Sequence, residues 1–283
     1  MNKRILITSD STCDLSPELM QRYHIETIPL HIQLGERSFL DGVEIQPSAI
    51  FEIFEKEGIL PQTSAVSEHD YTEFFSRFDP DSIDIIHISI GSDFSCCYQN
   101  ALIAAKEFAN VRVIDSCSVS IGTGLLAVLG AELAERGDSI EQIYTYLLDA
   151  VPRVEISFVI DTLTFLSKGG RCSSVAALGA GLLHLKPCIE IKNGKMVVGK
   201  KYRGKLDQCL VSYVHDRLSS RSDIDNHRIF ITHSLEDTSV IHKIQSEIQS
   251  YIPFKEIQIT KAGCAISSHC GPRTLGIIFM RSV

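Results

Sequence analysis

The sequence predicts an α/β protein in two domains. Residues 1–153 read as a parallel sheet with helices on both faces, and residues 154–283 as an α+β domain on a mixed sheet. Three observations carry this. At 283 residues and 44% hydrophobic content, the chain suits two cores of about 130–150 residues each. In the first half, short β-branched runs alternate with amphipathic stretches, the rhythm of strand–helix–strand units. In the second half, Asn193-Gly194 separates two apolar runs and is the favoured two-residue hairpin turn, so antiparallel pairing is built in.

In chain order, Arg4–Thr8 is the first strand. Ser16 caps a helix whose first position is Pro17, a ring already set to the helical φ. Ile25–Gln33 and Ser38–Val43 read as strands around Gly35-Glu36. Ala49–Lys56 is a helix stopped by Gly58, and Pro61–Ala65 is a polar loop before a helix capped by Ser67.

The run Ile83–Ile90 is interrupted only by Asp84, His87 and Ser89, as in a strand buried on both faces. It turns through Gly91–Phe94 into a helix at about Ser95, with Ser95 as the plain N-cap. Val111–Asp115, the long apolar helix from Gly122 to Gly137 and the helix Ile140–Val151 complete the first domain.

Beyond it come strand Glu155–Asp161, a tight loop Lys168–Arg171 and a small-residue helix, Ser173–His184. The hairpin Pro187–Ile191 and Met196–Tyr202 follows, then helix Leu206–Arg221. Strand Arg228–Thr232, helix Asp237–Tyr251 and strands Glu256–Thr260 and Leu275–Met280 end the chain.

Composition excludes several classes. A net charge of −8 lacks the basic face that general nucleic-acid binding needs. No apolar run reaches the roughly 18 residues of a membrane span. The N-terminus runs straight into a strand without an apolar signal segment, and nine scattered cysteines show no metal spacing, so the expectation is a reduced, cytoplasmic protein without a metal. Gly122-x-Gly124 lacks the third glycine of a dinucleotide fingerprint, and there is no P-loop lysine.

Three polar loops interrupt apolar sequence where strands end: Thr63-Ser64, Ser92–Ser95 and Ser267–Pro272 with His269. Hydroxyls, a helix N-terminus and one imidazole would together suit a carboxylate or phosphate. Each also has an ordinary reading, as turn, cap or loop residue, and spacing alone does not show that the loops meet. Arg171 would close on an anion or pair with a carboxylate of the fold. The basic residues Lys195, Lys200, Lys201, Arg203 and Lys205 read as a solvated face or a docking patch for a protein. A small hydrolase or acyl-transfer enzyme using Ser95 or Cys96 with His269 is the alternative, against which stands the missing Gly-x-Ser-x-Gly elbow.

Several segments together resemble the DegV family, end to end and in order. They are Asp10–Leu15, Thr63-Ser64, Phe94–Gln99, Asp115-Ser116 with Gly122-x-Gly124, and Asp161–Leu163 through Gly169-Gly170-Arg171. Leu185–Pro187, Asn193–Lys195 and His269–Pro272 continue the series. That family includes the fatty-acid-binding subunits of bacterial fatty acid kinase. The resemblance implies one long-chain fatty acid, such as palmitate or oleate, held between two α/β domains. Its carboxylate would lie on Thr63, Ser95 and His269, with Ser64 and Arg171 as head-group neighbours. A separate kinase subunit would phosphorylate the carboxylate, so the chain itself would not be an enzyme and would need no cofactor. One departure stands out: Cys96 and Cys97 occupy positions where the family usually has Gly and Thr, which puts bulkier side chains beside the head group.

Overall fold

A computed structural model describes residues 3–172 and 185–282; the expected helix Ser173–His184 lies outside them. In the first half, β1 (Arg4–Asp10), β2 (Glu26–Ile28), β6 (Ile83–Ser89) and β7 (Val111–Asp115) form an all-parallel sheet in the order β2-β1-β6-β7. Successive residues of a strand point to opposite faces, and Ile85, Ile86, His87 and Ile88 are all 0% exposed, so both faces are covered. On this sheet pack α4 (Cys97–Ala104), α5 (Ile121–Glu135) and α6 (Ile140–Ala150), while α3 (Glu68–Ser76) packs on α4. Gly124 is required in α5: a Cβ there would lie 2.5 Å from the Cys13 carbonyl, so the glycine lets α5 sit against the turn that follows β1.

A small antiparallel sheet, β4-β3-β5, is formed by β3 (His31–Leu34), β4 (Arg37–Leu40) and β5 (Gln62–Ser64). Helix α1 (Pro17–Tyr23) precedes it, capped by Ser16 as expected. Helix α2 (Pro47–Glu57) ends at Gly58, which takes φ 70°.

The six-stranded mixed sheet runs β10-β9-β8-β13-β11-β12. Its strands are β8 (Val154–Val159), β9 (Leu185–Lys192), β10 (Lys195–Arg203), β11 (Ile224–His233), β12 (Glu256–Lys261) and β13 (Leu275–Arg281). Only β11 and β12 pair in parallel. Asn193 and Gly194 both take positive φ (52° and 74°), as a tight hairpin turn demands. Helices α7 (Thr164–Gly169), α8 (Leu206–Leu218), α9 (Ser239–Tyr251) and α10 (Cys264–Cys270) complete the described elements.

Five expectations are corrected. Ile25–Gln33 is two strands in two sheets, because Pro29 has no N–H for a ladder and the chain bends there. Pro61–Ala65 is not all loop: Gln62–Ser64 adds an edge strand to β3. Ser95 is not the N-cap of α4, which starts two residues later with Cys96 in that place. Lys168 and Gly169 close helix α7, and the loop begins at Gly170, φ 70°. Ser267–Cys270 is the last part of helix α10, which ends only at Gly271.

The core is not divided as the chain is. Cys264 and Ala265 of α10 are buried in the same apolar cluster as the first half's sheet, with Ile266 packed against it. A second cluster lies between α8, α9 and the six-stranded sheet.

Candidate functional site

The loop after β6 delivers Ser95. Gly91 passes so close to the Cys117–Ser118 backbone that a Cβ would sit 2.9 Å from Ser118 N. Ser95 is then held by its neighbour: its hydroxyl donates to Cys97 Sγ at 3.1 Å and accepts from Cys97 N at 3.2 Å. Burial pushes the Cys97 thiol up to about 12, so at neutral pH it is a thiol and not a nucleophilic thiolate. Cys96 is exposed at the cavity rim.

Thr63 comes from β5, opposite Ile32 of β3. The pleat sends Thr63 and Ser64 to opposite sides. Thr63 borders the cavity described below, whereas Ser64 is exposed and does not, which removes it from the head-group neighbours expected from the sequence.

His269 comes from α10. Its Nε2 lies 2.9 Å from Thr63 Oγ1, joining residues 206 apart in the chain. Its Nδ1 is buried and has no partner among the described residues, because Gly169 lies against it and a Cβ there would collide with the ring. Burial pushes the imidazole down to about 4, and the nearby Arg171 guanidinium adds in the same direction, so His269 is neutral at pH 7. Arg171 is exposed and donates to the Gly169 carbonyl at 2.8 Å; among the described residues it has no carboxylate partner.

Thr63, Ser95, Arg171 and His269 border one cavity of about 380 Å³, within the usual range of roughly 300–1,000 Å³ for small-ligand pockets. The remaining walls are largely apolar, among them Leu30, Phe94, Met196 and Ala265. Val119, Ile266 and Cys270 also border a second, narrow cavity of about 20 Å³. Its lining includes Ile156, Phe158, Gly276 and Ile278, and almost nothing polar faces it. Three other hollows are larger, two of about 540 Å³ and one of about 560 Å³. They are surface grooves lined largely by charged and polar groups such as Asp84, Glu135, Glu155, Arg217 and Lys200; one of them holds an imidazole–hydroxyl pair, His215 Nδ1 and Tyr251 Oη at 3.1 Å, on an open basic face.

Chemically the site is a cluster of neutral donors at the mouth of an apolar recess, with one cation, Arg171, and one exposed carboxylate, Asp93, at its rim. Among the described residues His269 hydrogen-bonds to neither Ser95 nor Cys96, and no carboxylate orients it. No group of three or more His, Cys, Asp or Glu among them could hold a metal, and no helix among them is long and apolar enough to cross a membrane. Sequence reasoning missed Gly169, whose lack of a side chain admits the imidazole. It also missed the partners of α10: Asp14 Oδ1 accepts from Gly263 N and Asp41 Oδ1 from Cys264 N, both at 2.8 Å. Asp14 between Cys13 and Leu15, and Asp41 after Phe39-Leu40, were the available signal.

A family model described as an uncharacterised protein of the DegV family matches residues 4–282. A DegV domain-containing protein of Clostridium acetobutylicum is 30% identical over 280 residues, covering 98% of this chain and 99% of its own length. Two solved structures have the same fold. One, titled as fatty acid binding of a DegV family protein from Thermus thermophilus, has a TM-score of 0.88 at 28% identity, covering 98% of this chain and 99% of its own. The other, a stearic acid-binding protein from Eubacterium ventriosum, has a TM-score of 0.84 at 25% identity, covering 99% and 98%.

Proposed function

The chain belongs to the DegV family, and on that premise we propose that it binds a long-chain fatty acid, palmitate or oleate for example, and presents the carboxylate to a partner kinase for acyl-phosphate formation. The observation that carries this reading is the Thr63–His269 hydrogen bond at the mouth of an apolar recess.

The proton inventory favours a carboxylate. A buried N–H without a partner costs more than a buried lone pair without one, so we assign the single imidazole proton to Nε2. Nε2–H then donates to Thr63 Oγ1, and the Thr63 proton is left to point into the cavity. Ser95 offers a second hydroxyl, held only by a thiol sulfur, which is a weak acceptor. The Arg171 guanidinium balances the ligand's charge at the rim. A carboxylate needs this company, because an unpaired charge in a half-buried site is costly.

The tail runs past Val119, Ile266 and Cys270 toward the narrow apolar cavity beneath β8 and β13. About 14 methylenes at about 0.8 kcal/mol each give roughly 11 kcal/mol before the cost of ordering the chain. The site thus lies where the proposed domains, 1–153 and 154–283, meet. Catalysis is left to the kinase, since among the described residues His269 bonds to neither Ser95 nor Cys96 and would not activate them as a base. Cys13, Cys96, Cys97, Cys117, Cys188, Cys209, Cys264 and Cys270 are free thiols, which suits work in the reducing cytoplasm.

Organic extraction of freshly purified protein followed by mass spectrometry tests the reading. One long-chain acid per chain is the expected result. No extracted acid, together with no uptake of added palmitate or oleate, would overturn it.

A further inference from the structure

Helix α10 carries His269, yet it has no cap of its own. The residue before it is Gly263, and no local side chain satisfies its first amides. They are taken instead by two buried carboxylates from the start of the chain. Asp14 Oδ1 accepts from Gly263 N across 249 residues, and Asp41 Oδ1 accepts from Cys264 N across 223, each at 2.8 Å. Both carboxylates are aimed by hydroxyls: Ser120 Oγ donates to Asp14 Oδ2 at 2.5 Å, and Ser11 Oγ to Asp41 Oδ2 at 2.7 Å. The Cys264 thiol adds a third tie, donating to the Ile45 carbonyl at 3.2 Å.

Only five residues, about 7.5 Å of helix, separate Cys264 from His269. So short a helix moves as one piece, and a shift at its first turn is passed to the imidazole in full. The Thr63–His269 bond at 2.9 Å tolerates a few tenths of an ångström before it weakens.

The geometry points to Asp14 and Asp41 as positioning residues for the carboxylate site: they anchor α10 from the opposite half and so set His269 against Thr63. The inference rests on the fatty-acid reading for its effect on binding, but not for the placement of the imidazole. Neither aspartate borders the cavity, so each acts through the helix.

The test compares Asp41→Ala with Asp41→Asn, which keeps an oxygen for Cys264 N. Ser139→Ala serves as a control that weakens the cap of α6, away from α10. Ring ¹⁵N signals of His269, identified by their loss in His269→Gln, are read alongside palmitate affinity and Tm. In Asp41→Ala we expect the ring signals to move toward those of a free imidazole and palmitate to bind about tenfold more weakly, the loss of one charge-assisted hydrogen bond's effect. Asp41→Asn should restore both, and Ser139→Ala should lower Tm while moving neither. Should Asp41→Ala fail to fold, Ser11→Ala, which removes the donor aiming Asp41, should shift the same signals by less. Unmoved His269 signals in whichever of these folds, or no rescue by Asn, would overturn the proposal. Wild-type protein that binds no palmitate would sink the fatty-acid reading instead, and the ring signals, which need no ligand, would still decide the anchor.

Discussion

His87 and His269 make nearly the same local arrangement in two different places. Each imidazole has one nitrogen 2.9 Å from a threonine hydroxyl, Thr8 for His87 and Thr63 for His269. In each the second nitrogen is buried without a partner among the described residues. Burial pushes His87 down to about 3 and His269 down to about 4. The surroundings differ. His87 is 0% exposed in β6, with the rings of Tyr71 and Phe75 at 5.2 and 5.5 Å, while His269 faces a cavity with a guanidinium at its rim. A threonine–histidine bond and a depressed pKa therefore do not identify a site. The empty wall beside them does, because only there can a hydroxyl proton reach a ligand.

Four measurements break or sharpen this contrast. The largest effect is expected at the core histidine: His87→Ala removes a packed ring and should cost about 3 kcal/mol in urea unfolding, with palmitate affinity unchanged. A loss of affinity matching that at His269 would erase the distinction. His269→Ala should reverse the pattern. We expect palmitate to bind roughly thirtyfold more weakly, about 2 kcal/mol, while unfolding stability changes by less than about 1 kcal/mol.

Acid separates the two again. For His87 the unfolded imidazole takes a proton near pH 6.5 and the folded one only near 3, so its contribution is complete above pH 6.5 and is lost as pH falls through that window. Between pH 6.5 and 5.5 the loss is about 1 kcal/mol. Burial raises Asp10, Asp14 and Asp41, which acts with the opposite sign, so the measurement is the difference between wild type and His87→Gln. Between pH 6.5 and 5.5 the variant should lose about 1 kcal/mol less than wild type; equal changes in the two would show that His87 takes up its proton alike in the folded and unfolded states. The smallest effect belongs to Ser64→Ala. The residue adjoins Thr63 in sequence but points away from the cavity, so affinity should stay within about twofold of wild type.

The sheets and most helices were legible in the sequence because periodicity and caps are local. Ile83–Ile90, Ser16-Pro17 and Asn193-Gly194 each announce their structure within a few residues. Two of the misread elements owe their structure to distant partners. The strand at Gln62–Ser64 exists because β3 lies beside it, and helix Cys264–Cys270 because Asp14 and Asp41 hold its first amides. Read alone, both look like polar loops. Thr63, Ser95 and His269 were legible as polar interruptions, and the family resemblance grouped them. That Thr63 meets His269 was not legible, since no spacing rule joins an edge strand of one sheet to a helix between two strands of another. Ser64 was misplaced for a simpler reason: along a strand, neighbours in sequence are on opposite sides.

The Thr63–His269 bond also dates the site's appearance during synthesis. Its partners are 206 residues apart, and α10 takes its place only when Asp14, Asp41 and the apolar cluster of the first half are ready to receive it. A nascent chain still lacking its last twenty or so residues can complete the first parallel sheet, since that sheet draws on nothing beyond Asp115. It cannot yet form the threonine–imidazole contact. Long-range closure of this kind is slow compared with local helix formation. A ribosome-bound intermediate would thus be folded in its first half yet without the threonine–imidazole pair, and the proposed ability to hold a carboxylate would arrive in one late step.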